Sequence, residues 1–217
     1  MWMMPEIYDD LANKEFLDQV KKETSSKASW VVQEDAHGHP LAIRCDKQSI
    51  KYGFRPPEYK TKLPNWMSIF QLLELDKKIK KLYKFSKAKD HIIIKGTFIG
   101  GDYPHPDVKK QMAISVQKEI FYSSRNLFYA VDLIVDNKFV NVDKAIALFE
   151  KSELFCAWIV FSGTLKDCLK HNNKFLTLIS RWSGLPTIDN NYCKGVLIKP
   201  KKSTFLKNGK RIVIKNH

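Results

Sequence analysis

The sequence predicts one α+β domain built on mainly antiparallel sheets. Three observations predict it. Strand-like and helix-like segments are mixed without the strand–helix rhythm of a doubly wound fold. Neither an internal repeat nor a flexible linker divides the 217 residues. No glycine-rich phosphate loop is present, since Gly96, Gly100 and Gly101 match neither standard pattern. Hydrophobic residues make up 44% of the chain and aromatics 12%, enough to bury one core or two small lobes around a cleft and too much for a disordered tail.

The elements follow from periodicity and punctuation. Leu11 to Lys22 reads as a short amphipathic helix: Phe16, Leu17 and Val20 form its apolar side, and Lys21 and Lys22 lie near the end where the helix dipole favours cations. Trp30 to Glu34 is strand-like, Gly38 and Pro40 interrupt it, and Leu41 to Cys45 resumes as a second strand, so a hairpin is expected. Arg55 to Pro64 is a proline-rich loop. Met67 to Phe85 is the longest helix candidate. Phe70, Leu73, Ile79 and Leu82 share a face, while Lys77, Lys78, Lys80, Lys81 and Lys84 form a positive field that reads best as solvated surface.

His91 to Phe98 is a buried-looking strand ending at Gly100-Gly101, and Tyr103-Pro104-His105-Pro106 must be loop. Phe128 to Val135 is a strong strand. Val142 to Lys151 and Leu165 to His171 are helix candidates, and Phe155 to Phe161 is a strand hydrophobic on both sides. Val196 to Lys199 and Ile212 to Ile214 are strands joined by a basic turn at Asn208-Gly209.

The chain holds 37 Lys and Arg against 23 Asp and Glu, a formal charge of +14 that concentrates polyanions such as nucleic acid at its surface. A basic surface kept for solubility is the plainer alternative. Cys45, Cys156, Cys168 and Cys193 form no close Cys-x-x-Cys pair, which argues against a structural zinc site. Met1-Trp2-Met3-Met4 is too short for a signal peptide, and the best apolar run, Leu154 to Phe161, is far too short to span a membrane. An intracellular protein with reduced thiols and no membrane partner is expected.

Three places carry candidate chemistry. In Asp35-Ala36-His37-Gly38-His39, alternate residues of an extended stretch project to one side, so Asp35, His37 and His39 are weak metal-ligand candidates against ordinary loop hydrogen bonding. Asp132 lies in an apolar strand, where a carboxylate must be paired; Arg125 or a lysine would serve. Lys199, Lys201, Lys202, Lys207, Lys210, Arg211 and Lys215 follow Asp189 with no further acid. Of these, Lys199 and Lys215 adjoin apolar strand residues and could face phosphate in a cleft, with exposed surface lysines the equal alternative. Ser162-Gly163 is not a nucleophile elbow, and no carboxylate pair suggests generic hydrolysis.

Five segments in order carry a resemblance. They are Ser29 to Gly38 (SWVVQEDAHG), Ile94 to Gly101 (IKGTFIGG), Phe128 to Asp132 (FYAVD), Cys193 to Pro200 (CKGVLIKP) and Asn208 to His217 (NGKRIVIKNH). From about Tyr8 to His217 the chain resembles the nucleotidyltransferase domain of the ATP-dependent RNA ligases related to the second T4 phage RNA ligase and the kinetoplastid RNA-editing ligases. The resemblance implies an adenylylation domain, not an ATP-grasp one, with antiparallel sheets around a cleft. It implies that residues 1–217 form one such domain, ending within or just after the last family motif.

In that family a lysine attacks the α-phosphate of ATP, and AMP passes from the lysine to an RNA 5′-phosphate before a 3′-hydroxyl displaces it. The resemblance places Asp35 where this lysine belongs. His37 keeps the motif's histidine. Thr97 stands for a glutamate, Val131 for the ring that stacks on adenine, and Lys194 for a metal-associated glutamate. Lys215 keeps the first lysine of a Lys-x-Lys pair and His217 replaces the second. Gly53 stands where an arginine is expected. Asp35, Thr97, Lys194 and His217 are therefore degenerate motif positions, while His37, Val131, Lys199 and Lys215 are candidates for nucleotide or phosphate contact.

The expectation is a catalytically inactive RNA-ligase-like module that binds RNA or a protein partner through a basic cleft. No cofactor is expected, with ATP and magnesium the ones to survive in any residual ligase-like binding. One alternative is an active RNA ligase with an unconventional nucleophile, Lys95 or Lys194. Another is a repurposed metal-dependent phosphodiesterase using Asp35, His37 and His39.

Overall fold

Two five-stranded sheets, nearly all antiparallel, form the frame of the computed structural model, which describes residues 9–11, 13–54 and 73–217. In chain order the elements are β1 (Asp9–Asp10), α1 (Lys14–Glu23), β2 (Trp30–Glu34), β3 (His39–Asp46), β4 (Ile50–Phe54), α2 (Leu75–Ser86), β5 (His91–Asp102), β6 (Ser123–Val135) and β7 (Lys138–Phe139). They continue with α3 (Val142–Lys151), β8 (Ile159–Gly163), α4 (Leu165–Leu169), α5 (Leu178–Trp182), β9 (Val196–Pro200) and β10 (Ile214–Asn216). One sheet runs β1-β10-β9-β2-β8 and the other β4-β3-β5-β6-β7. The proline-rich segment from Arg55 to Pro64, and Met67 and Phe70 of the longest helix candidate, lie outside the described residues; the helix is described from Leu75.

The expected hairpin of β2 and β3 does not form. β2 pairs with β8 on one side and β9 on the other, whereas β3 sits in the second sheet between β4 and β5. Every residue of β2 is buried, so it needs partners on both edges and cover on both faces, as a central strand does. The link from Asp35 to Gly38 therefore crosses from sheet to sheet. It is tied at both ends, by the Asp35 N–H donating to Gly195 O (3.0 Å) and the His37 N–H donating to the Tyr122 hydroxyl (2.8 Å). At Gly38 an added Cβ would collide with the Phe98 carbonyl oxygen, so the crossing passes too close for a side chain. Pro40 is paired with Thr97 of β5.

Two other expectations are redrawn. The strand from His91 runs on through Gly100-Gly101 to Asp102, with a bulge where both glycines take positive φ of 86° and 94°. The run from Phe155 to Phe161 is split. Phe155 to Ala157 lies along β6, with the Ala130 N–H donating to Phe155 O (2.9 Å) and the Ala157 N–H to Ala130 O (2.8 Å), and only from Ile159 does it join β2 as β8. Its two-sided hydrophobicity serves two sheets in turn.

Each sheet carries its own core. Ile43, Ile94 and Phe128 pack beneath Ile79 and Leu82 of α2 and Phe149 of α3, which settles the lysines of α2 outward; Lys77 and Lys84 are exposed. Trp30, Ile198 and Ile214 pack beneath Phe16 and Val20 of α1 and Cys168 of α4. Tyr122, Tyr129, Ala157 and Ile179 form a third cluster at the crossing. Each such side chain contributes about 1.5–3 kcal/mol on burial, so the apolar faces hold the sheets against their helices. All four cysteines are buried and free. No helix among the described residues is long and apolar enough to cross a membrane.

Candidate functional site

The crossing segment opens a small cavity of about 180 Å³. Asp35 and His37 enter it from the β2–β3 link, Lys95 and Thr97 from β5, Val131 from β6, Lys194 from the turn before β9, and Lys215 from β10. Positions spread over the length of the sequence thus meet at one point because β2, β5, β6, β9 and β10 converge there.

Asp35 is the electrostatic centre. Its Oδ2 lies 3.1 Å from Lys215 Nζ and 3.5 Å from His217 Nε2. Its backbone is pinned to Gly195, so the carboxylate stays aimed at β10. His37 faces the other way, with Nδ1 3.7 Å from Glu119 Oε2, an electrostatic contact too long for a hydrogen bond. Burial, then the Lys194 ammonium, hold the His37 imidazole below its usual range despite Glu119 and Asp35, so it is neutral at neutral pH. Burial depresses His39 similarly, with His37 adding to it.

Asp35, His37 and His39 do not assemble into a metal site. Among the described residues no group of three or more His, Cys, Asp or Glu side chains is placed to hold an ion. His39 opens β3 opposite Phe98, Asp35 turns to Lys215, and His37 turns to Glu119, so the directions diverge.

Lys199 is likewise not at the cavity. It is 1% exposed, with Nζ 2.8 Å from Asp132 Oδ1 and 3.2 Å from Val131 O. Asp132 also receives both guanidinium nitrogens of Arg211, Nη1 to Oδ2 at 2.5 Å and Nη2 to Oδ1 at 2.7 Å. Its partners are therefore Lys199 and Arg211 rather than Arg125, which is exposed. Burial alone would raise the Asp132 carboxyl, but Arg211 and then Lys199 outweigh it and hold it well below the usual carboxylate range. Lys199 and Asp132 join the two sheets, since β9 and β6 belong to different ones.

Glu34, which the sequence pattern did not single out, is fully buried beside Asp35. It accepts the Thr177 hydroxyl and, at 2.8 Å, the Leu178 N–H at the start of α5. Burial raises its carboxyl to about 7 against those hydrogen bonds. The apolar run Trp30-Val31-Val32 beside it was the signal that could have marked Glu34, weakened by its polar neighbours Gln33 and Asp35. The buried Tyr129 hydroxyl donates to Glu34 O at 3.2 Å.

No family model and no curated protein sequence matches this chain. Solved structures do. A Naegleria gruberi RNA ligase variant with AMP and manganese superposes at a TM-score of 0.64, with 12% identity over 99% of this chain and 56% of that one. A variant of a Naegleria gruberi RNA ligase with ATP and manganese gives 0.59 and 11% over the same shares. The chain has an RNA-ligase-like fold. It spans little more than half the length of those ligases. An apo variant of a Naegleria gruberi RNA ligase gives 0.61 at 12% identity, so the likeness holds with and without nucleotide in the neighbour.

Among the described residues that line the cavity, Asp35 is the one carboxylate available to a cation. Lys194 occupies one edge, where an ammonium cannot ligate a cation, and Lys215 is already engaged by Asp35. The cavity's volume of about 180 Å³ also falls below the roughly 300 Å³ at which ligand pockets begin.

Proposed function

We propose that this chain is a catalytically inactive RNA-ligase-like module, residues 1–217 acting as one unit, that contacts RNA through its basic surface. The observation that carries the proposal is the Asp35–Lys215 ion pair at 3.1 Å, in the cavity where the resemblance puts an amine nucleophile. An amine attacks phosphorus through a nitrogen lone pair; Asp35 has none and presents negative charge that repels a triphosphate. The same carboxylate neutralises Lys215, the phosphate-binding candidate retained from the family pattern. Thr97, Val131 and Lys194 line the same cavity as Asp35, so these four departures fall together in space. The RNA part is supported by the +14 charge and by the fold.

Incubation with α-labelled ATP and magnesium or manganese is expected to leave no acid-stable protein–AMP adduct. Asp35→Asn, which removes the carboxylate paired with Lys215, should strengthen inorganic triphosphate binding by about tenfold in calorimetry, since it removes a negative charge in direct contact with the site. An adduct on the wild-type chain defeats the inactive assignment. RNA affinity measured by anisotropy should fall linearly with log salt; no binding even at low ionic strength removes the RNA part.

A second reading has one observation in its favour: Lys95 and Lys194 both line the cavity and supply amines. In that case the adduct would map to one of them and disappear with Lys95→Ala or Lys194→Ala.

A further inference from the structure

We propose that Phe205 is a stacking platform for a base of single-stranded RNA, its strand leading past Phe139 and Lys95 toward the cavity. This rests on the RNA contact proposed above and locates it.

Among the described residues four large hydrophobic side chains are exposed, Met112, Leu176, Tyr192 and Phe205. Leu176 and Tyr192 face each other across a β-bridge and so partner one another. Phe205 differs in its setting. It lies in the connection from β9 to β10, where Lys201, Lys202, Lys207 and Lys210 surround it in sequence. Its ring is 47% exposed although the next residue, Leu206, is buried. The loop that presents it is tied down: the Ser203 N–H donates to Asn141 Oδ1 (3.1 Å), the Leu206 N–H to Lys210 O (2.8 Å) and the Ile212 N–H to Thr204 O (3.1 Å). The exposure is therefore a held position, with the ordering entropy of the loop already lost before any ligand arrives.

Behind Phe205 stands Phe139, its ring centroid 5.9 Å away and inclined by 59°. Arg211 lies 3.9 Å and Lys95 Nζ 5.1 Å from the Phe139 centroid. Lys95 is also a wall of the cavity, so cation, ring and ring form one track outward from it.

The charge beside the rings is cationic, and its acids are accounted for. Asp143 pairs with Lys201 at 2.9 Å, Glu23 accepts the Lys207 N–H at 2.7 Å, and Asp132 is enclosed by Lys199 and Arg211. Lys138, Lys202 and Lys207 remain exposed next to the two rings. An exposed ring among lysines suits a strand that offers both base faces and phosphates. A duplex hides its base faces, and an acidic protein segment has none.

The test is fluorescence anisotropy with labelled oligouridylate and with duplex RNA of the same strand length, at several salt concentrations. Phe205→Ala should weaken single-strand binding by about tenfold, the size of one lost base–aromatic stack, and leave duplex affinity and the salt slope unchanged. Phe205→Leu, apolar but without a ring face, should lose as much, and Phe205→Tyr should retain affinity. Wild-type binding unchanged by Phe205→Ala overturns the platform but leaves the RNA contact standing. Retention by Phe205→Leu, or equal competition by polyglutamate, replaces stacking with a generic apolar or protein contact and overturns it too. Absence of any RNA binding by the wild-type chain defeats the broader contact as well.

Discussion

Replacing Asp132 with alanine should lower the unfolding free energy by about 3–5 kcal/mol, measured by urea denaturation at neutral pH. The substitution removes little volume, so the effect is electrostatic. Lys199 Nζ and the Arg211 guanidinium both converge on this carboxylate, and the substitution takes from both the counter-charge they share. Hydration of Lys199 would require the sheets to part, because Lys199 belongs to β9 and Asp132 to β6. The pH dependence has a definite sign. The folded carboxyl titrates well below its ordinary value, so its stabilisation is complete above the unfolded-state value of about 4 and is lost as pH falls toward the folded one. The acid limb of the stability curve should therefore be shallower in Asp132→Ala than in the wild-type chain. A loss under about 1 kcal/mol would show that the cations find other partners.

Glu34 should give the opposite pH signature. Its carboxyl rises from 4.5 to about 7 on folding, so the folded state holds a proton that the unfolded state releases. The associated stability is fully present below pH 4.5 and is lost as pH rises through about 7, a span of order 3 kcal/mol. Glu34→Gln is neutral throughout, so its stability relative to the wild-type chain should climb between those limits and then level off. Thermal unfolding of the two proteins across pH 4.5 to 8 measures that difference, and it cancels titrations common to both, including those of His37 and His39, which run in the opposing sense. Parallel curves would mean that the hydrogen bonds from Thr177 and Leu178 keep Glu34 ionised at its ordinary value.

The contrast between these two carboxylates shows how burial and partners compete. Both lie in strands, and both are removed from water. Asp132 meets two cations and stays charged. Glu34 meets a hydroxyl and a backbone N–H, which do not offset desolvation, so it takes up a proton near neutrality. The partners that decide the difference lie far away in sequence, at Lys199 and Arg211 for Asp132 and at Thr177 and Leu178 for Glu34.

Several elements were legible in the residues alone. β2 was expected at Trp30 to Glu34 and α3 at Val142 to Lys151, and both have those bounds. Their periodicity is strong and their ends are punctuated. α1 and β9 came within a few residues for the same reason. Short elements such as β7 and α5 were not anticipated, because two residues of strand or five of helix carry too little period to stand out. Of the candidate site, Asp35, His37, Thr97, Val131, Lys194 and Lys215 do line one cavity, while Lys199 and His39 do not.

By itself, then, the sequence determined the mixed α and antiparallel-β class, the apolar faces, the excess of cations and the requirement that Asp132 be paired. Tertiary structure decided which sheet each strand joins, that β2 and β3 part company, that Arg211 and Lys199 rather than Arg125 meet Asp132, and that Asp35 is held against Lys215. The physical reason is that periodicity is written in neighbouring residues, whereas a strand edge or a lone charge accepts many partners. Selection among them rests on which pairing buries both faces of β2 and leaves no interior charge unpaired.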